Sequence, residues 1–471
     1  MKITTQEKNA KTLSKKISKK IVKVEFTEKN QTRFIEDSDG LTRIEIKIDK
    51  SDKNNLKRFI KVVRRIVRVA QQYQIEKIAI DIDELKKISK LHPKELGSLV
   101  AQNLEMAVYE FRDFKTKPKD GWKDIKEVII SNVNQRTFVS GISKGKKIGK
   151  MVNECRLISN TPGGDMTPKI LSAHARRLSK NTAIKTSALG EKEIKKLKMG
   201  AILGVAKGSQ EEPKFIIMEY KGGKKDEKPI VLIGKGVTFD SGGINIKPSS
   251  AILGMHMDMS GGSAVMATIA LVAQLKLKKN VIGLIPSVEN MVSGSAFRPG
   301  DVLKSMSGKT IEIVNTDAEG RLILADALTY AKKFNPRVVI DIATLTGASL
   351  SALGQHASVL MTKDKKLQDT IIDIGEKTGD YVWPLPLWEE YEDEIKGKIA
   401  DVANLSIRNP NFGGAINGGV FLQQFTKNYP KDCVWAHIDI APRMVTIPSD
   451  NLSSGAAGEP VRLLTRFIEE Y

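Results

Sequence analysis

Four runs of this chain are apolar almost without interruption: PIVLIG (229–234), NVIGLIPSV (280–288), IEIVN (311–315) and VVIDIAT (338–344). Alternation of apolar and polar residues would mark strands with one wet face; continuous β-branched runs mark strands covered on both. Helical patterns, SAVMATIALVAQL (263–275) and EGRLILADALTYAKKF (319–334), fall between them. Strand and helix in alternation predict a mostly parallel central sheet with helices on both sides. In such a sheet, ligands bind outside the carboxyl ends of the strands.

The front of the chain repeats the pattern on a smaller scale. VKVEF (22–26), RIEIKI (43–48), KIAIDI (77–82) and EVIIS (127–131) read as strands. Leu56, Phe59, Ile60, Val63, Ile66, Val67 and Ala70 recur at helical spacing, and Leu96 to Phe111 forms a second helix pattern. The fold class expected is α/β: a smaller N-terminal domain over residues 1–150, ending in a linker helix at about 135–159, and a larger domain over 151–471. NTPGGDMTPKIL (160–171) supplies a turn and then a helix start, with Thr167 as N-cap and Pro168 in the first helical position.

Charge divides the chain the same way. Residues 1–150 hold 36 Lys/Arg against 20 Asp/Glu, leaving 40 against 35 for the remaining 321 residues. Lys57, Arg58, Lys61, Arg64, Arg65 and Arg68 are expected to form a cationic stripe opposite the apolar face of one helix. Such a stripe could hold nucleic acid; a solvated lysine-rich surface explains the same residues and is preferred. The longest clean apolar run, Ala264 to Leu275, falls short of the roughly 20 residues a bilayer span needs. Lys11, Lys15, Lys16, Lys19 and Lys20 have no apolar segment behind them, so no secretory signal is expected. Cys155 and Cys433 form no ligand pair and no disulfide framework, which fits a cytoplasmic protein.

Chemistry concentrates in two glycine-rich segments that follow buried strands. GKGVTFDSGGINIKP (234–248), continued by MHMDM (255–259), carries Lys235, Asp240, Lys247 and Asp258; NTDAEGRL (315–322) carries Asp317 and Glu319. Carboxylates crowded at strand ends repel one another unless a cation lies between them. Two divalent ions suit this ligand count better than one. In an extended stretch Asp317 and Glu319 would point to one side; a helix N-terminus, where acids favour the macrodipole, accounts for the same pair. Lys235 could act as a neutral amine ligand and Lys247 as a charged group polarising a carbonyl, or both could be ion-pair partners of the aspartates. Arg321 suits a salt bridge or a small anion.

Other signals fail. GKGVTF has Phe239 where a dinucleotide fingerprint needs its third glycine, and SGKT (307–310) runs into a strand instead of a helix. There is no HExxH, and His92, His174, His256, His356 and His437 are scattered.

NTDAEGRL, GKGVTFDSGGINIKP, MHMDMSGG (255–262), DIATLTGA (341–348) and NTPGGDMTP (160–168) together resemble the leucyl aminopeptidases, or cytosol aminopeptidases, across residues 150–471. The resemblance implies metal-dependent removal of N-terminal residues, leucine and other apolar ones favoured, through a water activated by two ions. It implies one ion held by Lys235, Asp240, Asp258 and Glu319, and another by Asp240, Asp317 and Glu319. Lys247 would be the catalytic lysine and Arg321 would hold a bicarbonate acting as base. Met255, Asn315, Thr344 and Gly347 would line the substrate pocket. Zinc is the family's usual ion, with manganese an alternative, and the assembly implied is a homohexamer. Two departures stand out: His256 replaces a more usual Lys or Arg, and SGAAGEPVRLL (454–464) alters the family's glycine-rich turn.

Overall fold

The computed structural model describes residues 1–7, 21–29, 31–36, 38, 42–49 and 55–471; the lysines between Lys11 and Lys20 lie outside the described residues. The chain divides into two compact units, Met1–Asn153 with Thr446–Gly455, and Glu154–Val445 with Ala456–Tyr471. A helix over Arg136–Asn160 carries the chain from the first unit into the second.

The first unit is built on one sheet whose described strands are β1 (Lys2–Thr5), β2 (Val22–Thr27), β3 (Arg33–Glu36), β4 (Thr42–Lys47), β5 (Lys77–Asp81) and β6 (Glu127–Ser131), in the order β1-β6-β5-β2-β4-β3. All pairings are parallel except β3 with β4. Ile44, Ile46 and Ile78 from the sheet share a core with Phe59, Val63, Ile66 and Val67 of the helix Leu56–Gln72. Each such side chain contributes roughly 1.5–3 kcal/mol on burial.

The cationic stripe expected on that helix is interrupted. Arg64 is buried, its Nε donating to Asn103 Oδ1 at 2.8 Å and its Nη1 to the Asp450 carbonyl at 3.1 Å. Arg68 Nε donates to the Asn451 carbonyl and Arg65 Nη1 to the Lys47 carbonyl. The reason is geometric. The helix packs against the sheet on one side and the helix Pro93–Val108 on another, so the covered sector is wider than the apolar stripe alone and takes in position 64.

In the second unit the strands are β7 (Ile184–Leu189), β8 (Lys214–Lys221), β9 (Ile230–Gly234), β10 (Gly236–Asp240), β11 (Asn280–Asn290), β12 (Val302–Lys304), β13 (Thr310–Glu312), β14 (Val338–Ala343), β15 (Ser358–Met361), β16 (Val382–Pro384), β17 (Val402–Ala403) and β18 (Val434–Asp439). The main sheet runs β16-β15-β18-β14-β9-β11-β8-β7, with β10 pairing beside β11. Its centre, β18, β14, β9 and β11, is parallel, while β15 and β8 attach antiparallel on either side. The helix Ser260–Gln274 is apolar all round and buried from Ser260 to Val272, as a helix lodged in a large core must be.

One expected strand sits elsewhere. IEIVN does not enter the main sheet; Thr310–Glu312 joins β12 and β17 in a separate three-stranded sheet. Its burial alternates, with Ile311 and Ile313 inside and Glu312 half-exposed, accepting from the backbone of Lys398 and Ile399. The run therefore has one covered face, not two.

Candidate metal centre

Every central strand of the main sheet ends in a polar group at the same edge. Lys235 follows β9, Asp240 ends β10, Asn290 ends β11, Thr344 follows β14 and Asp439 ends β18. Lys235 is held in the sheet by its backbone, its N–H donating to the Ile342 carbonyl and its carbonyl accepting from Gly262. Its buried ammonium lies 2.7 Å from Asp258 Oδ2, 2.7 Å from Glu319 Oε1 and 2.9 Å from the Thr344 carbonyl. Burial alone would lower its pKa, but the charges of Asp258, Glu319 and Asp240 overrule this and hold it above the ordinary value.

A second lysine closes the other side. Lys247 Nζ lies 2.9 Å from Asp240 Oδ2 and 2.5 Å from Asp317 Oδ1. The loop between Asp240 and Lys247 turns through Gly242 and Gly243, at φ of +87° and +66°, where a side chain would be strained. Gly242 N–H and Asn290 Nδ2 both donate to Asp240 Oδ1, at 2.9 and 2.8 Å, leaving Oδ2 to face the cluster.

Asp317 and Glu319 do not lie on an extended stretch. Asp317 sits in a turn, and Glu319 is the N-cap of the helix Gly320–Ala331 with αR backbone angles. The helix-start reading of the D-x-E pair therefore describes the backbone, while the side chains still converge. One oxygen each from Asp240, Asp317 and Glu319 lies within 4.8 Å of the other two. Burial, and then the charges of Asp240 and Glu319, push the Asp317 carboxyl up to about 7 against the pull of Lys247. Burial and the same crowding raise Asp258 against Lys235. Four carboxylates facing two ammoniums leave an excess of negative charge in a largely buried site. Crowded oxygens with raised proton affinity are what a divalent cation would relieve. The donor set therefore fits metal binding.

Among the residues expected to line a pocket, Thr344 touches this cluster directly. Its Oγ1 donates to Asp258 Oδ1 at 2.6 Å. Asn315 Oδ1 accepts from the Asp317 N–H at 2.7 Å, shaping the turn. Met255 is half-buried and opens the 3₁₀ turn that leads into Asp258. Gly347 is exposed at the start of the helix Gly347–Leu353, with open space where a Cβ would stand. Arg321 is buried with Nε and Nη1 free of protein acceptors, and burial lowers its pKa to about 10 against the charges of Glu319 and Asp439. His256 is half-buried, and burial lowers its pKa.

Supporting residues escaped the sequence reading. Asn404 grips the NTDAEGRL turn from outside: its Oδ1 accepts from Val314 N–H at 2.8 Å and its Nδ2 donates to the Asn315 carbonyl at 2.6 Å. Thr316 and Asn245 bond reciprocally across the two motifs. Asp439 is fully buried and accepts from Leu345 N–H, Thr346 Oγ1, Ser349 Oγ and Ala441 N–H at 2.9, 2.8, 2.6 and 3.1 Å. A legible signal existed for Asp439 alone, as an acid inside the buried run VWAHIDIA (434–441). Asn404 follows no pattern that marks it.

Comparison with known proteins places this geometry in context. The profile of the cytosol aminopeptidase family, catalytic domain, matches residues 153–465. A probable cytosol aminopeptidase of Methylobacillus flagellatus is 44% identical over 378 residues, covering 79% of this chain and 74% of the relative. One of Methylibium petroleiphilum is 47% identical over 341 residues, covering 72% and 68%. Among solved structures, the bottromycin maturation enzyme BotP in complex with Mn superposes with a TM-score of 0.85 at 27% identity, covering 96% of this chain and 99% of that one.

Proposed function

Because the chain belongs to the cytosol aminopeptidase family and is a metallo-aminopeptidase, we propose that it removes N-terminal residues, leucine and other apolar ones foremost, from peptides at a two-metal centre on the carboxyl edge of the main sheet. The observation that carries this reading is the convergence of Asp240, Asp258, Asp317 and Glu319 on Lys235 and Lys247. Lys235, Asp240, Asp258 and Glu319 would hold one ion, and Asp240, Asp317 and Glu319 the other, so that Asp240 and Glu319 are shared. Zinc or manganese suits this set; the manganese in BotP supports the second. When bound, such ions supply Lewis acidity and a water acidic enough to attack at neutral pH.

The chain's own groups divide the remaining work. Lys247 keeps its ammonium charged, because Asp240, Glu319 and Asp317 outweigh the effect of burial. It can therefore stabilise the oxyanion that develops on the attacked carbonyl. Arg321 offers a fork of buried donors without protein acceptors, which suits bicarbonate as the proton-accepting base. Thr344, Gly347, Asn315 and Met255 would border the N-terminal side chain of the substrate. Assembly as a homohexamer and a cytoplasmic location are part of the same reading; the relatives' naming as cytosol aminopeptidases supports the location. Among the described residues no helix is long and apolar enough to cross a membrane.

The test is cleavage of leucine p-nitroanilide with and without chelator, by wild type and by Asp317→Ala. We expect activity that chelation abolishes and added manganese or zinc restores, and a loss of at least 1,000-fold (order of magnitude) in Asp317→Ala. Activity surviving both treatments would discard the reading.

A further inference from the structure

The loop Thr344–Ser349 is held from two sides. On one side Thr344 bonds to Asp258 through its hydroxyl and to Lys235 through its carbonyl, so its position follows the carboxylate cluster. On the other side a single buried carboxylate, Asp439, takes the next residues in succession. Oδ1 accepts from the Leu345 and Ala441 backbone N–H groups, and Oδ2 from the hydroxyls of Thr346 and Ser349. Thr346 Oγ1 and Ser349 Oγ are themselves 2.8 Å apart, and Thr346 Oγ1 caps the helix Gly347–Leu353 by accepting from the Ser349 N–H.

Gly347 lies between these anchors and opens on empty space. Leu345 and Thr346, between β14 and the helix, have no regular hydrogen-bond ladder of their own, so the distance of this segment from the cluster is set by what grips it. Three bonds from the loop to one carboxylate, at Leu345 N–H, Thr346 Oγ1 and Ser349 Oγ, leave it little freedom, while the fourth, from Ala441 N–H, ties the carboxylate to its own chain segment. Asp439 stands at the end of β18, paired in register with Ala343 at the end of β14, so the sheet itself fixes its place.

We propose that Asp439 is a positioning residue for the aminopeptidase reaction: its carboxylate sets the Leu345–Ser349 loop at the distance from the metal centre that the N-terminal side chain of the substrate requires. The proposal rests on the function argued above. It assigns Asp439 an effect on substrate fit exerted through the loop; Thr346→Val, which leaves the Asp439 charge in place near Arg321, separates that effect from any electrostatic one.

The test uses the full chain loaded with manganese, as Asp439→Asn and, separately, Thr346→Val. For each, KM and kcat on leucine p-nitroanilide are measured, together with calorimetric affinity for the aminophosphonate analogue of leucine, manganese affinity by titration, and the melting temperature. Asp439→Asn exchanges an acceptor of two hydroxyls for an amide donor; we expect KM and the analogue Kd to rise tenfold or more (order of magnitude). kcat should stay within about threefold and manganese affinity within about twofold. Thr346→Val removes one of the three bonds that hold the loop to Asp439, together with the helix cap on Ser349 N–H, and should move KM and Kd the same way by about threefold. A lowered melting temperature with unchanged KM would reduce Asp439 to a structural role and overturn the proposal, as would manganese affinity falling together with kcat. Should Asp439→Asn fail to fold, Thr346→Val decides alone, and an unchanged KM there overturns it. If wild type cleaves normally and both variants keep its KM, this proposal alone falls; a wild type that neither cleaves the anilide nor binds the analogue removes the aminopeptidase reading and this proposal with it.

Discussion

A Cβ on Gly320 would stand 2.6 Å from Lys235 Cε and 2.7 Å from its Nζ, closer than side-chain atoms pack. The helix Gly320–Ala331 thus begins with the one residue that lets the lysine lie across its first turn and reach Glu319. Gly320→Ala should leave the helix intact, since alanine favours helix by about 1 kcal/mol over glycine, but displace the amine. We expect manganese affinity to drop about tenfold or more while the melting temperature moves by only a few degrees. Titration calorimetry checks this, and unchanged affinity contradicts it. At this scale the sequence was informative about type and less so about geometry. Lysine and carboxylates beside glycine named the cluster, yet the spacing of Asp317 and Glu319 left an extended chain and a helix start both open, and the chain takes a turn and a helix N-cap there. Asn290 and Asn404 were not found because their partners lie 26 to 90 residues away in sequence, and no local pattern encodes such bonds; Asp439 was marked only as an acid inside a buried run, with nothing local to say that it grips residues 90 to 94 positions away.

Elements meet through buried polar groups as well as through apolar packing. Asp326, inside the helix Gly320–Ala331, accepts from the first N–H groups of the helix Gly200–Ala206, at Ala201 and Ile202, both at 3.0 Å, and from Met306 N–H at 2.6 Å. Asp326→Ala would leave three backbone donors buried without acceptors. It should cost about 3 kcal/mol or more, read as a lower denaturation midpoint at unchanged slope; a cost below about 1 kcal/mol would show that water replaces the carboxylate. A second junction couples β14 to β18, where Asp341 faces His437 in register, 2.5 Å from its Nδ1, and also accepts from Trp435 Nε1 at 2.7 Å. Burial alone would lower the His437 pKa, but the charge and hydrogen bond of Asp341, helped by Asp439, raise it above the ordinary value despite Arg321. Stability from this shift is fully present below the unfolded pKa of about 6.5 and is lost as pH rises through the folded value. The destabilisation caused by His437→Asn should therefore be larger at pH 6 than at pH 9 in thermal melts; the opposite trend would mean the imidazole is held neutral. Three of the four continuous apolar runs entered the main sheet as read. IEIVN did not, because a five-residue run cannot reveal whether one face or two will be covered; that depends on β12 and β17, which flank it in space. The antiparallel wings were equally hidden, since strand direction is set by the length and path of connections.

For the whole molecule, the apolar surface left uncovered argues about assembly. The segment from Trp383 to Phe412 carries Trp383, Trp388, Ile399 and Phe412, each between 59% and 73% exposed. Large apolar side chains so exposed are what the homohexamer proposed above would cover. Net charge opposes association: the formal charge of +21 makes like copies repel, the more so at low ionic strength. Closed symmetric assembly resolves the conflict only if the contact is extensive and apolar at its centre, with basic surface kept outside it. Sedimentation at micromolar concentration and physiological salt should give a single species of six 52.0 kDa chains. Because the driving force is burial and the opposing force is charge, lowering salt should loosen this species and raising salt should not. Ile399→Asp with Phe412→Asp places two charges where the contact would be dry and should yield smaller species, while secondary structure by circular dichroism stays unchanged. A wild-type monomer under these conditions, or a double variant that sediments as wild type does, would show that this segment meets solvent or substrate and that the contact between copies, if any, lies elsewhere on the chain.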